Sequence, residues 1–134
     1  MKFSFQTTLA SLLPILAMVH GVIGAACFNK PQMTNYEGYL DDANNAKSLV
    51  CNQDSTVTCE EHIGDTTKCS LLYSSTNNGF IVIGWVGKKD NAMQYCNDAY
   101  TNIIGQCFGS GYSGGNYHWG STWWLQPVSL GQTW

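Results

Sequence analysis

Arginine is absent from this 134-residue chain, and charge of either sign is sparse: six lysines, nine acids and 11% charged residues. A protein that grips a phosphate backbone carries a basic patch, with arginine as the preferred bidentate reader of bases, so nucleic acid is disfavoured as a main ligand. An anionic membrane surface is disfavoured on the same ground. No Cys-x-x-Cys pair occurs, and His62 and His118 do not stand at zinc-finger spacing, so no metal site is expected. Gly-x-Ser-x-Gly, His-Glu-x-x-His and the phosphate-loop motif are missing as well, and no residue is assigned a catalytic role and no cofactor is expected. The chain has no Asn-x-Ser/Thr sequon, so no N-glycan is expected. Beyond the N-terminus no stretch is apolar enough to span a bilayer, and the C-terminal LGQTW lacks the apolar tail of a lipid-anchor signal.

What is present begins with a leader. Lys2 precedes an apolar run from Leu9 to Ile23, and the small residues Gly24, Ala25 and Ala26 follow. A charged start, a short apolar middle and a small-residue cleavage site read as a secretory signal peptide over residues 1–24. The run contains Pro14 and His20 and is short for a membrane anchor. Residues 25–134 then form one domain, with five lysines against nine acids and a net charge of −4. A chain of this length builds a modest core and gains from covalent staples. Cys27, Cys51, Cys59, Cys69, Cys96 and Cys107 all lie in it. An even cysteine count in a short secreted chain predicts three disulfides, whose pairing the sequence leaves open.

Local pattern predicts the elements. Phe28 to Leu40 is turn-rich at Asn29-Lys30-Pro31 and ends in a short strand. Leu40, Ala43, Lys47 and Val50 share a helical face, and Asp41 or Asp42 can cap it, which predicts a helix over 41–51. Alternation around Val57 and Cys59, and again around Cys69, Leu71 and Tyr73, predicts a hairpin over 55–75 with its turn at Gly64-Asp65. Asn78-Gly79 marks a second hairpin. The strand that follows, FIVIGWVG, is apolar on both faces and should be central and covered on both sides. Asp90 to Gly105 reads as a capped helix with Ala92, Cys96, Ala99, Tyr100 and Ile103 on its inner stripe. Cys96 and Cys107 would stand about 15 Å apart along such an axis, too far to bond each other. Tyr117 to Leu125 reads as a last strand with Tyr117, Trp119, Trp123 and Leu125 on the buried face, ended by Pro127. The expected architecture is α+β: a two-layer sandwich of an antiparallel sheet of about four strands with two helices and three disulfides.

Two stretches invite chemistry. Cys59-Glu60-Glu61-His62 sets two carboxylates beside an imidazole, the residue types of general acid–base work, although a solvated strand edge is the plainer reading. Gly111 to Trp124, GYSGGNYHWGSTWW, interleaves glycines with five aromatic rings. Once the strand register buries Tyr117, Trp119 and Trp123, the rings left for solvent are Tyr112, Trp124 and the terminal Trp134. Tyr112 and Trp124, with Tyr117 or His118, are the candidate binding residues, a small platform for a sugar face or a partner. Trp and Tyr are enriched at binding hot spots.

The whole pattern resembles the small cysteine-rich proteins secreted by filamentous fungi. Within that group the order of elements from Cys27 to Val128 is similar to the killer-toxin-like α/β sandwiches of fungi and their viruses: a Cys-bearing helix ending at Cys51, strands around Cys69 and Phe80, the helix NAMQYCNDAYTNIIGQC and a glycine-rich approach to a last strand. Their plant-pathogen relatives act as effectors. The resemblance implies a secreted, non-enzymatic effector or toxin-like protein that acts by binding a host or competitor protein, or a cell-wall glycan. It carries over no functional residue, and the cysteine spacing departs from the group's members. The alternatives are a cell-wall glycan-binding protein and a small hydrolase or ribonuclease. NYEGY at 35–39 resembles a five-residue segment of the small secreted fungal ribonucleases. The arginine of that family's site has no counterpart here, and Glu37 is not in the position of its catalytic glutamate.

Overall fold

A computed structural model describes residues 24–28, 36–75, 79–108 and 112–129. Residues 1–23 of the expected leader, the Asn29-Lys30-Pro31 turn, Asn77-Asn78 and Trp134 lie outside the described residues. The element order is β1 (Ala26–Cys27), α1 (Tyr36–Cys51), β2 (Thr58–His62), β3 (Thr66–Ser75), β4 (Gly79–Gly87), α2 (Lys89–Gln94), α3 (Cys96–Ile103), a π-helical turn (Ile104–Phe108), β5 (Gly115–Trp119) and β6 (Ser121–Ser129). The strands form one six-stranded sheet in the order β1-β5-β6-β4-β3-β2, and every pairing is antiparallel. The class is α+β, as the pattern predicts, with more strands than the expected four. Part of the surplus comes from the last strand, which is two strands.

The helices pack on one face of the sheet. Ile81, Ile83 and Trp85 from β4 and Trp123 and Leu125 from β6 meet Tyr39, Ala43, Ala46 and Val50 of α1 and Ala92, Cys96, Ala99, Tyr100 and Ile103 of α2 and α3 in a single buried cluster. The inner stripe of the second helical region is the one its 3.6-residue spacing predicts. That of α1 is rotated by about one position: Tyr39 and Ala46 are buried while Leu40 is exposed and Lys47 half-buried. The helix also starts at Tyr36 instead of Asp41, which removes the expected short strand. Apolar side chains on one face decide a helix in a folded protein, and Tyr39 adds a large one ahead of the aspartates.

The second helix is broken. Tyr95, at φ −103° and ψ 9°, separates α2 from α3. α2 packs on β4 and β6, and α3 packs on β5, β6 and α1, so the two halves share β6 and differ in their other main neighbours. Lys88 precedes α2 without a side-chain cap, and Asp90 lies inside the first turn. Gly105 does not end the helix; the chain winds on through Phe108 and turns Cys107 inward.

The disulfides are Cys27–Cys107, Cys51–Cys96 and Cys59–Cys69. There is no free cysteine, and Cys96 and Cys107 bond to other elements, as their axial separation requires. Among the described residues no helix is long and apolar enough to cross a membrane.

β4 is central, but among the described residues the helices cover only one of its faces. On the far face Phe80, Val82 and Val86 are half-buried, and Leu72 beside them on β3 is 61% exposed. The described helices all lie on the other side, which corrects the expectation of a two-sided burial. The far face is sealed locally at Gly84, whose partner in the register is Trp124. A Cβ at Gly84 would fall 2.5 Å from Trp124 Cζ2 and 2.6 Å from the Cys69 carbonyl oxygen. The indole therefore lies flat on bare backbone, with Lys68 Nζ 5.9 Å from its ring centroid. On the inner side Tyr100 donates a hydrogen bond to the Gly84 carbonyl. Burial pushes the Tyr100 phenol far above its ordinary pKa, so it stays a donor throughout the usual pH range. Gly84→Ala is expected to lift the indole off the sheet and to cost about 1–3 kcal/mol through overpacking, read as a lower melting temperature and a red-shifted tryptophan emission.

Candidate functional site

β5 and β6 are joined at Gly120, which takes φ +76°, a conformation that glycine adopts without penalty. The run that reads as one strand therefore reverses, with Trp119 opposite Ser121 and Tyr117 opposite Trp123. Reversal preserves the alternation, so Tyr117, Trp119 and Trp123 do project to the helical side. Their depth differs. Trp123 is fully buried and donates its indole N–H to the Ala92 carbonyl at 3.2 Å. Trp119 stands at the tip of the hairpin and is 55% exposed. The expectation that Trp119 belongs to the core is corrected: its side of the strand is right, but there the sheet ends.

The tip is held from both sides. Ser121 donates to Asn91 Oδ1 of α2 at 2.6 Å, and His118 Nδ1 lies 2.8 Å from Thr122 Oγ1 on the far face. These contacts fix the backbone that presents Trp119. Beside it runs a groove of about 430 Å³ lined by Tyr95, Asp98, Thr101, Asn102, Tyr117 and Trp119. Tyr95, Asp98 and Asn102 recur at helical spacing, so they share a face of the α2–α3 segment next to the buried stripe. The break at Tyr95 sets its ring at the head of that face. Tyr117 forms the opposite wall and backs onto Trp123, with ring centroids 6.0 Å apart at a 51° tilt, within the favourable range for aromatic pairs.

The polar groups of the groove divide into fixed and free. Asn102 donates to the Asp98 carbonyl at 2.9 Å and accepts from Gln106 Nε2 at 3.1 Å, which locks its amide. Lys47 Nζ reaches Thr101 Oγ1 at 3.5 Å. The Asp98 carboxylate and the Trp119 indole N–H have no partner among the described residues. Asp98 is exposed and Asn102 half-buried.

Of the candidate binding residues, Tyr117 lines the groove, while Tyr112, Trp124 and His118 fall elsewhere. Trp124 and His118 share the far face on neighbouring strands, with Trp124 half-buried on Gly84 and His118 exposed. Tyr112 is 42% exposed, its N–H bonded to the Cys107 carbonyl at 2.8 Å. It leads into β5 at the Gly115 end, and the strand spans about 13 Å from there to Trp119 at roughly 3.3 Å per residue. None of the three lines the groove; Trp119 and the residues of the α2–α3 face do. The spacing Tyr95, Asp98, Asn102 was visible in the sequence as the flank of the buried stripe, but nothing there marked it as facing a ring.

The Cys59-Glu60-Glu61-His62 group does not converge. β2 is exposed along its length, and strand alternation sends Glu61 to the face opposite Glu60 and His62. His118 and Glu60 sit on β5 and β2, four strand spacings apart in the sheet, about 19 Å. Glu61 and His62 border a shallow polar hollow with Gly64, Asp65, Thr66 and Thr67. Among the described residues no group of three or more His, Cys, Asp or Glu is placed to hold a metal ion. Compared with known proteins, the chain matches no family model, no curated protein and no solved structure.

Proposed function

We propose that this chain is a secreted, non-enzymatic effector or toxin-like binding protein, of the kind filamentous fungi release against a host plant or a competing microbe, and that it engages its target through the hairpin tip at Trp119. The observation that carries the reading is the exposure of Trp119 at 55% on a tip clamped by the Ser121–Asn91 and His118–Thr122 contacts. A turn whose backbone is held by these contacts leaves less freedom for binding to remove, and aromatic anchors that become buried on binding dominate its energy. Three disulfides suit an oxidising compartment, and the leader over residues 1–24 suits export. The order of elements that resembles the killer-toxin-like sandwiches supports the same assignment.

The test compares purified wild type with Trp119→Ala in growth inhibition of competing fungi and in leaf infiltration. Trp119→Ala is expected to keep the wild-type circular dichroism and to lose the activity by at least about tenfold, the effect of a contact of roughly 1.4 kcal/mol. Full activity in a folded Trp119→Ala protein would remove the tip from the target contact.

A further inference from the structure

We infer that the groove beside Trp119 is a saccharide site, and that its ligand is an internal stretch of a neutral cell-wall polysaccharide. The inference rests on the proposed use of the Trp119 tip and names what that tip recognises. Its three rings, Tyr95, Tyr117 and Trp119, come from two separate elements and border one open trough. Aromatic faces pack on the C–H faces of a sugar ring, while tyrosine hydroxyls and the indole N–H reach its edges. The Asp98 carboxylate is the free acceptor, able to take two hydroxyl donors at once. Thr101 adds a hydroxyl, and the Asn102 amide, fixed by Gln106 and the Asp98 carbonyl, offers a rigid wall.

Charge selects the class of sugar. Among the described residues the ionised group in the groove's lining is Asp98, Lys47 stands at its rim on Thr101 and the chain has no arginine, so an acidic glycan would meet a carboxylate and no bidentate partner. A cationic ligand would meet Lys47, whose ammonium lies on Thr101. A neutral polyhydroxylated ring meets neither objection. The volume, about 430 Å³, falls within the range of roughly 300–1,000 Å³ of small-ligand clefts. The trough is open along the surface, which admits the middle of a chain as well as its end. Trp124 and Lys68 on the far face of the sheet take no part.

Isothermal titration and tryptophan fluorescence with cello-, laminari-, chito- and manno-oligosaccharides test the assignment on the mature, disulfide-bonded protein. Saturable binding of at least one, indifferent to added salt, is expected. Trp119→Ala should weaken it by at least about tenfold and Asp98→Asn by several-fold, while Lys68→Ala leaves it unchanged. No binding by any of the four in wild type, or equal binding by folded Trp119→Ala, overturns the saccharide site. Quenching by tetramethylammonium in place of the sugars overturns it in favour of a cation ligand. If Trp119→Ala abolishes the biological activity while no saccharide binds wild type, the target is a protein: the saccharide inference falls and the binding role of the tip stands.

Discussion

Trp123→Ala is expected to unfold the protein, whereas Trp119→Ala, four residues earlier on the same side of the sheet, is expected to leave its melting temperature nearly unchanged. Trp123 is fully buried, and its indole N–H is bonded to Ala92. Truncation empties a cavity under α2, removes the ring that backs Tyr117 and strands the Ala92 carbonyl. Large-to-small changes of this kind cost about 3–5 kcal/mol, a large share of the roughly 5–15 kcal/mol that holds a domain together. Trp85, 1% exposed in the same cluster, should behave like Trp123. Trp119 leaves no cavity, because its ring borders solvent. Thermal melts of the three variants measure this directly. Equal destabilisation by Trp119→Ala and Trp123→Ala would mean that the hairpin does not turn at Gly120 and that both rings sit under helices.

The second large effect is a ranking of the disulfides. Cys27–Cys107, Cys51–Cys96 and Cys59–Cys69 close loops with sequence separations of 80, 45 and 10, and the chain-entropy relation assigns them about 4.5, 4.0 and 2.7 kcal/mol. The position of the first adds to its weight, since β1 has two residues and, among the described residues, pairs with β5 alone. Cys27→Ser/Cys107→Ser is expected to lower the melting temperature by roughly 15–20 °C, at about 4 °C per kcal/mol for a domain of this size. Cys59→Ser/Cys69→Ser should cost the least, because the strands it joins are already adjacent in the β2–β3 ladder. Alkylation of the folded wild type without reductant should add no mass. A Cys59–Cys69 variant less stable than the Cys27–Cys107 variant would reverse the ranking.

Much of the fold could be read locally. The β2–β3 hairpin and its Gly64-Asp65 turn, the central apolar strand, the stripe Ala92-Cys96-Ala99-Tyr100-Ile103 and the separate partners of Cys96 and Cys107 follow from alternation, helical spacing and the rise of a helix. Each depends only on residues near in sequence or on simple distances along one element. The existence of the disulfides follows from the even cysteine count; their pairing depended on which elements the fold brings together.

The candidate site was not local in that sense. Alternation across Tyr117 to Leu125 assigns each ring a side of the sheet, and it does so correctly even through the reversal at Gly120. It says nothing of how far the opposing layer extends. Trp119 and Trp123 have the same side and opposite fates because α2 covers one and the sheet ends under the other. Trp124 looked free because its face is mixed, yet Gly84, forty residues earlier, leaves it a bare patch of backbone to lie on. The helix breaks at Tyr95, and Tyr95, Asp98 and Asn102 line a trough against Tyr117 and Trp119. The sequence by itself determined the class of fold and which residues alternate. Tertiary packing decided which of the alternating rings became core and which became surface, because burial depends on the extent of the layer opposite, a property that no single strand or helix contains.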